Sequence, residues 1–257
     1  MLLLALDTAT PAVTVALHDG SSVVASSGRL DARRHGELLL PTVDRVLAEA
    51  GVRLAEVTDI AVGVGPGPYT GLRVGLVTAD TFGATLGVPV HGVCTLDGLA
   101  HAFAASAPAD GPFVVATDAR RKEVYWARYE RVRTTDRPGV TCTRSTGPAV
   151  DRPGEIADRV VGLPAVGAGA FLYPEVFTDP REPRDVSAAA VAEFAAERLA
   201  AGEGLPVGGV RAAGPAPTDT APTGTGGIPH GLLPPRPLYL RRPDARVPAN
   251  YKVVTPR

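Results

Sequence analysis

Residues 2–18 read LLLALDTATPAVTVALH, and residues 113–130 read FVVATDARRKEVYWARYE. Each is an apolar run that reads as a strand, breaks at an aspartate, and resumes as a second, alternating strand. In the first copy LLLALDT (2–8) and AVTVALH (12–18) flank a turn at Asp7–Pro11, where Asp and Pro favour reversal and a threonine hydroxyl can support it. Asp7 precedes Val13 by six residues, and Asp118 precedes Val124 by six. With an α/β pattern around each copy, the coincidence predicts two related halves, each opened by a strand–Asp turn–strand hairpin.

Outward from the first copy, SVVASSG (22–28) reads as a third strand. A helix follows near 36–50, with Leu39, Val43, Val46, Leu47 and Ala50 on one face at helical spacing. Pro41 lies near enough to its start to be tolerated. DIAVGVG (59–65) is a short apolar strand, then come a helix at 71–86, a strand at 88–93 and a short helix at 96–105. An Ala-rich helix at 186–201 closes the second half. The expected division is therefore 1–105, 106–204, an insert at 205–235, and a basic end at 236–257. Gly, Pro, Ala and Thr make up 22 of the 31 residues of 205–235, too little apolar surface to offset ordering, so disorder is expected there.

Charge says little about partners: the net value is −1 at pH 7. Residues 236–257 nevertheless carry Arg236, Arg241, Arg242, Arg246, Lys252 and Arg257 against the single acid Asp244, a tail that can touch phosphates or simply be solvated. Cys94 and Cys142 form no C-x-x-C pattern, which fits a reducing compartment and argues against a disulfide scaffold or a zinc site. The MLLLALDT start lacks a basic n-region, and no apolar run approaches the ~18–20 residues of a membrane span. A soluble, cytoplasmic protein with no membrane partner is expected.

The segment VGVGPGPYTGLRVGLVTADTFGATLGVPV (62–90) carries the strongest local signal. Gly65, Gly67 and Gly71 allow a sharp loop that Pro66 and Pro68 stiffen, and Thr70 is placed to cap the helix that follows. A strand, a glycine loop and a helix start can hold an anion, but the spacing matches neither G-x-x-x-x-G-K-[ST] nor G-x-G-x-x-G. Within the helix Gly71, Gly75, Ala79 and Gly83 recur every four residues, leaving a stripe almost without side chains, with Leu72, Leu76 and Leu86 beside it. Arg73 and Asp80 are its only charges. A helix this apolar is covered on more than one side. Periodicity does not say by which chain: packing on the helix at 36–50 and pairing with a second polypeptide both satisfy it.

Taken together, LLALDTATPAVTVAL, RRHGELLLP, AVGVGPGPYTGLRVGL, PVHGVCTLDGLA, TDARRKEVYWARY and the late YLRR resemble the TsaB family, accessory subunits of bacterial tRNA threonylcarbamoyladenosine biosynthesis. The likeness runs to about residue 130 and returns at 237–242. The family's loop commonly reads GPGSFTGLR, and Pro68 and Tyr69 stand in its Ser-Phe places. The resemblance implies an α/β, actin-like (ASKHA) fold of two subdomains with mixed sheets flanked by helices. It implies a TsaD-like catalytic partner and a TsaE-like ATPase, the complex transferring threonylcarbamoyl to the adenosine 3′ of the anticodon in tRNAs reading ANN codons. Contact with tRNA would then be indirect. Pairing with TsaD or with a second copy would use the two helices that carry Leu39, Val43 and Val46 and, on the second, Leu72, Gly75, Leu76, Ala79 and Gly83. On this expectation a second polypeptide covers the glycine-striped flank.

Catalytic patterns are missing from the sequence. The histidines at 18, 35, 91, 101 and 230 include no i, i+4 pair, and neither H-E-x-x-H nor G-x-S-x-G occurs. Asp7 with Thr8, and Asp118, do fall where an actin-like ATPase holds metal-bound phosphate. Their turns, D-T-A-T-P and D-A-R-R-K, lack the glycines such a loop uses for close approach, which favours plain turn-making. No cofactor is expected on the isolated subunit; ATP, magnesium and metal belong to the partner subunits. An independent actin-like ATPase or kinase is the competing expectation.

Overall fold

The computed structural model describes residues 1–106, 110–131, 142–204 and 228–241. The first half runs β1 (Leu3–Asp7), β2 (Ala12–His18), β3 (Val23–Leu30), α1 (His35–Ala50), β4 (Asp59–Gly63), α2 (Tyr69–Leu86), β5 (Val90–Val93) and α3 (Thr95–Ser106). The second runs β6 (Gly111–Asp118), β7 (Val124–Arg131), β8 (Cys142–Asp151), α4 (Pro153–Val160), β9 (Pro164–Val166), α5 (Ala168–Leu172), β10 (Asp179–Arg181) and α6 (Ala188–Ala200).

The duplication read from two aspartates extends through both sheets. One sheet has the order β3-β2-β1-β4-β5; the other, read in the same sense, is β8-β7-β6-β9-β10. In each, the first three strands are antiparallel and the next two parallel. Asp7 lies opposite Thr14, and Asp118 lies opposite Val124, so the second turn is one residue tighter. The turn geometry repeats as well: Ala9 N–H donates to Asp7 Oδ1 at 2.7 Å and Arg120 N–H to Asp118 Oδ1 at 2.8 Å. Each aspartate thus caps its own turn two residues on.

Five layers result. Helices α1 and α2 cover one face of the first sheet, and α6 covers the other. Helix α3 packs on α6 and on the second sheet, whose far face receives α4 and α5. This layering explains why every residue of β1 and β2 is buried: a strand with helices on both sides reads as a continuous apolar run. Phe113, Tyr129 and Phe194 extend the same core into the second half, while Trp126, Ile156, Val160 and Phe177 form a separate cluster under α4. Among the described residues no helix is long and apolar enough to cross a membrane.

The second half is richer than its sequence suggested: β8, α4, β9, α5 and β10 have no counterpart in the periodic reading. A further correction concerns the insert. Residues 205–227 and 242–257 lie outside the described residues, but 228–235, assigned to the disordered segment, are packed. Leu233 is buried and exchanges two backbone hydrogen bonds with Gly92 on β5, at 2.7 and 2.8 Å. Leu238 N–H then donates to Val64 O at 2.8 Å. The apolar residues Ile228, Leu232, Leu233 and Leu238 hold this strap on the core, and their dispersion among Gly and Pro hid them from a composition count.

Candidate functional site

The GPGPYTG loop leaves β4 at Gly63 and delivers the chain into α2. Gly67 sits so close to the first aspartate turn that a Cβ there would meet Ala9 O at 1.9 Å, so the loop lies directly on Ala9. Thr8 fastens the next contact: its hydroxyl donates to Gly71 O at 2.8 Å and accepts from Gly75 N–H at 3.0 Å. A Cβ on Gly75 would stand 2.5 Å from that hydroxyl, and one on Gly83 would stand 2.3 Å from Val90 Cγ2. The glycine stripe is therefore what lets α2 lie against β1 and β5 of its own chain.

This reverses the expected orientation of the interface residues. Leu39, Val43, Val46, Leu72, Gly75, Leu76, Ala79 and Gly83 are all buried within the chain's own core and are not available to a partner. The flank expected to need a second polypeptide is covered by the first sheet. Thr70 is also not a cap: α2 begins at Tyr69 after extended Pro68, no side chain caps it, and Thr70 is exposed in the first turn. What the two helices offer outward is a different set. Val77 is 64% exposed and Leu40 50%, with Arg73, Thr81, Ala84 and Thr85 also on the outer side of α2.

The two turn aspartates differ sharply. Asp7 is fully buried: Oδ1 accepts from Ala9 N–H, and Oδ2 accepts from Thr95 Oγ1 at 2.8 Å. Burial pushes its carboxyl up to about 6, opposed in part by those two hydrogen bonds and by the field of His35. Gly63 leaves space for this carboxylate, since a Cβ there would overlap Oδ2. With both oxygens engaged inside the protein, Asp7 is closed off from the cleft, whereas Thr8, equally buried, lines the space at the starts of α1 and α2. Asp118 is partly exposed, lies 3.6 Å from Arg120, and borders the cleft between the halves. Among the described residues no group of three His, Cys, Asp or Glu is placed to hold a metal ion.

A second polar centre escaped the sequence. Asp97 of α3 is fully buried, accepts from Tyr129 Oη at 2.6 Å and lies 3.4 Å from Arg144 Nη1 of β8. Burial raises Asp97 to about 6 against the opposing pull of Arg144, and it pushes the Cys94 thiol up to about 12. Arg144 also donates to the carbonyls of Ile228 and Pro229, and Arg198 lies 3.3 Å from His230 Nδ1. These residues come from separate elements with no common spacing, so no local signal could have gathered them. Their geometry clamps the start of the strap; a thiol held that far from ionisation is no nucleophile. Arg241, at the strap's other end, pairs with Glu123 and donates to Ala119 O at the second aspartate turn.

Comparison with known proteins follows the same outline. Residues 27–201 match the family model described as TsaD: tRNA N6-adenosine threonylcarbamoyltransferase. An uncharacterised protein of Mycobacterium tuberculosis is 36% identical over 249 residues, 95% of this chain and 93% of that protein. The tRNA threonylcarbamoyladenosine biosynthesis protein TsaB of Escherichia coli is 34% identical over 180 residues, 68% of this chain and 75% of its own length. Among solved structures, an uncharacterised Pseudomonas aeruginosa protein with similarity to peptidase YeaZ superposes with a TM-score of 0.72 at 28% identity, covering 93% of this chain and 99% of that one. The repeated sheet order, the five layers and these likenesses agree on an α/β actin-like fold, and the chain belongs to the TsaB (YeaZ-like) family of tRNA threonylcarbamoyladenosine biosynthesis proteins.

Proposed function

We propose that this chain is a non-catalytic subunit that pairs with and activates a TsaD-like threonylcarbamoyltransferase, the modification falling on the adenosine 3′ of the anticodon in tRNAs reading ANN codons. The observation that supports a non-catalytic role is the sealed first turn: Asp7 is spent on Ala9 and Thr95, and Gly67 lies against Ala9 where an actin-like ATPase would admit phosphate. Function is then left to the surface. The pairing face is the outer side of α1 and α2, centred on Leu40 and Val77, apolar side chains that stand in water on helices otherwise fastened to the first sheet. In isolation the same face joins two copies of the chain. A TsaE-like ATPase completes the assembly, which holds ATP, magnesium and metal on the partner subunits and reaches tRNA through them.

Affinity capture of the tagged chain from its own cells tests this, with a TsaD-like subunit expected in the captured fraction and no Mg-ATP turnover by the purified chain. Capture without any such subunit, together with turnover by the chain alone, would establish the competing ATPase.

A further inference from the structure

Residues 228–241 run as a strap that touches the two halves in turn. At its start Arg144 of β8 donates to the carbonyls of Ile228 and Pro229, fixing it to the second half. It then crosses to the first half, where Leu233 pairs with Gly92, Leu238 with Val64 and Tyr239 with Arg73. At Arg241 it returns: Nη1 donates to Ala119 O at 3.2 Å, and Nη2 pairs with the Glu123 carboxylate. Both partners belong to the second aspartate turn. That turn also supplies Asp118 and Arg120 to the cavity of about 240 Å³ between the halves, which Ala9, Pro66 and Pro68 line from the first half.

The two aspartate turns are held in different ways. The first is fixed within its own half, by Gly67 against Ala9 and by Thr95 on Asp7. The second carries Arg120, Arg121 and Lys122 at φ of 62°, 54° and 61°, three successive side-chain-bearing residues in the left-handed region. That region is costly for L-residues and persists where the surroundings enforce it. Within the turn Ala119 N–H donates to Glu123 O and Glu123 N–H to Arg120 O, each at 3.0 Å. From outside, Arg241 grips the same Ala119 and Glu123. At the other end of β7, Tyr129 and Arg131 donate to Asp97 Oδ1 and Ala104 O of α3, which joins the halves there.

We infer that the strap is a clasp, with Arg241 as its latch, and that it sets the aperture of the cleft. The joint at α3, where Asp97 and Tyr129 are buried, is the hinge. The Arg241–Glu123 pair is the release point: its side chains keep 20% and 27% of their exposure, so water and ions reach it. Leu233 and Leu238, by contrast, pack on the apolar core and keep the strap on the first half. Latched, Arg241 holds the strained turn against that half. Released, the turn relaxes and carries Asp118 and Arg120 away from Pro66 and Pro68, which widens the cavity.

Pulsed dipolar spectroscopy on the full chain tests the clasp, with spin labels at Ala32→Cys and Glu175→Cys, exposed positions on either side of the cleft. The native Cys94 and Cys142 are buried, and an excess of unlabelled chain confines the signal to distances within one molecule. The parent gives one narrow distance. Arg241→Ala lengthens its mean by more than about 2 Å and broadens it. Glu123→Gln keeps the size of the side chain and loses its charge. It shifts the distance in the same direction, and it carries the test if Arg241→Ala does not fold. Arg236→Ala, which removes an exposed cation of the strap, leaves the parent distance. A parent-like distance in folded Arg241→Ala, or in Glu123→Gln where that variant carries the test, would overturn the proposal. Faster hydrogen exchange at the Glu123 amide with the distance unchanged would do the same, by confining the effect of Arg241 to the turn. An equal lengthening in Arg236→Ala would trace the effect to charge alone and would also overturn it.

Discussion

Arg73 Nε donates a hydrogen bond to Tyr239 Oη at 2.9 Å, across 166 residues of chain. The pair joins the arginine of GLR in α2 to the tyrosine of YLRR, two separated parts of the family likeness, and it pins the strap beside the outer face of α2. Tyr239→Phe keeps the ring and removes the hydroxyl. Because the pair is solvent-accessible, we expect a loss of only about 0.5–1.5 kcal/mol, together with faster hydrogen exchange at the Leu238 amide bonded to Val64 O. Unchanged exchange at Leu238 would show that the strap holds without this contact.

Thr8, just past β1, fastens that strand's end to α2 through two hydrogen bonds. Thr8→Val removes a buried donor and acceptor at once and strands Gly71 O and Gly75 N–H. The expected destabilisation is about 1–3 kcal/mol in chemical denaturation. A fall below about 0.5 kcal/mol would mean that water or a local shift satisfies both groups.

Close packing of the glycine stripe makes a paired prediction. Gly83→Ala forces a methyl against Val90 Cγ2 and should destabilise by about 1–3 kcal/mol. Combining it with Val90→Ala removes the clashing methyls, so the double variant should lose less than the sum of the two single changes. Strict additivity would show that the stripe does not touch β5.

Acid dependence follows from opposed shifts. Asp7 titrates near 6 when folded and near 3.8 when unfolded, so between those values the folded state holds the extra proton and stability rises as pH falls. His101 and His230 are pushed the other way, to about 4 and about 3, chiefly by burial and then by Arg198, and they lose stability as pH falls below 6.5. Asp7→Asn deletes the first contribution and keeps acceptance from Ala9. Its stability should therefore fall more steeply than that of the parent between pH 6 and 4, by on the order of 2–3 kcal/mol across the window. Parallel curves would place the Asp7 carboxyl in water.

The fold was legible where a pattern repeats within one element. The β1–β2 hairpin, its copy at β6–β7 and the helices at α1, α2 and α6 all carry alternation, 3.6-residue spacing or a turn aspartate. From β8 through β10 the elements are short and mixed in polarity, as in TCTRSTGPAVD, and their pairing is set by strands far away in sequence. The glycine stripe was legible as a covered face but not in direction. Gly75 and Gly83 announce close approach equally well for a partner's helix and for Thr8 and Val90, and only tertiary packing decides. The Asp97–Tyr129–Arg144 cluster gave no signal at all, since three residues on three elements look ordinary until the sheets close.

The pairing face is tested most directly by the affinity of a TsaD-like subunit for the Val77→Arg variant. Val77 is exposed and touches little of its own chain, so the variant should melt within about 2 °C of the parent. It should also lose the partner in co-purification, because an unpaired charge would be buried at the centre of the contact. A folded Val77→Arg protein that retains its partner undiminished would contradict the account.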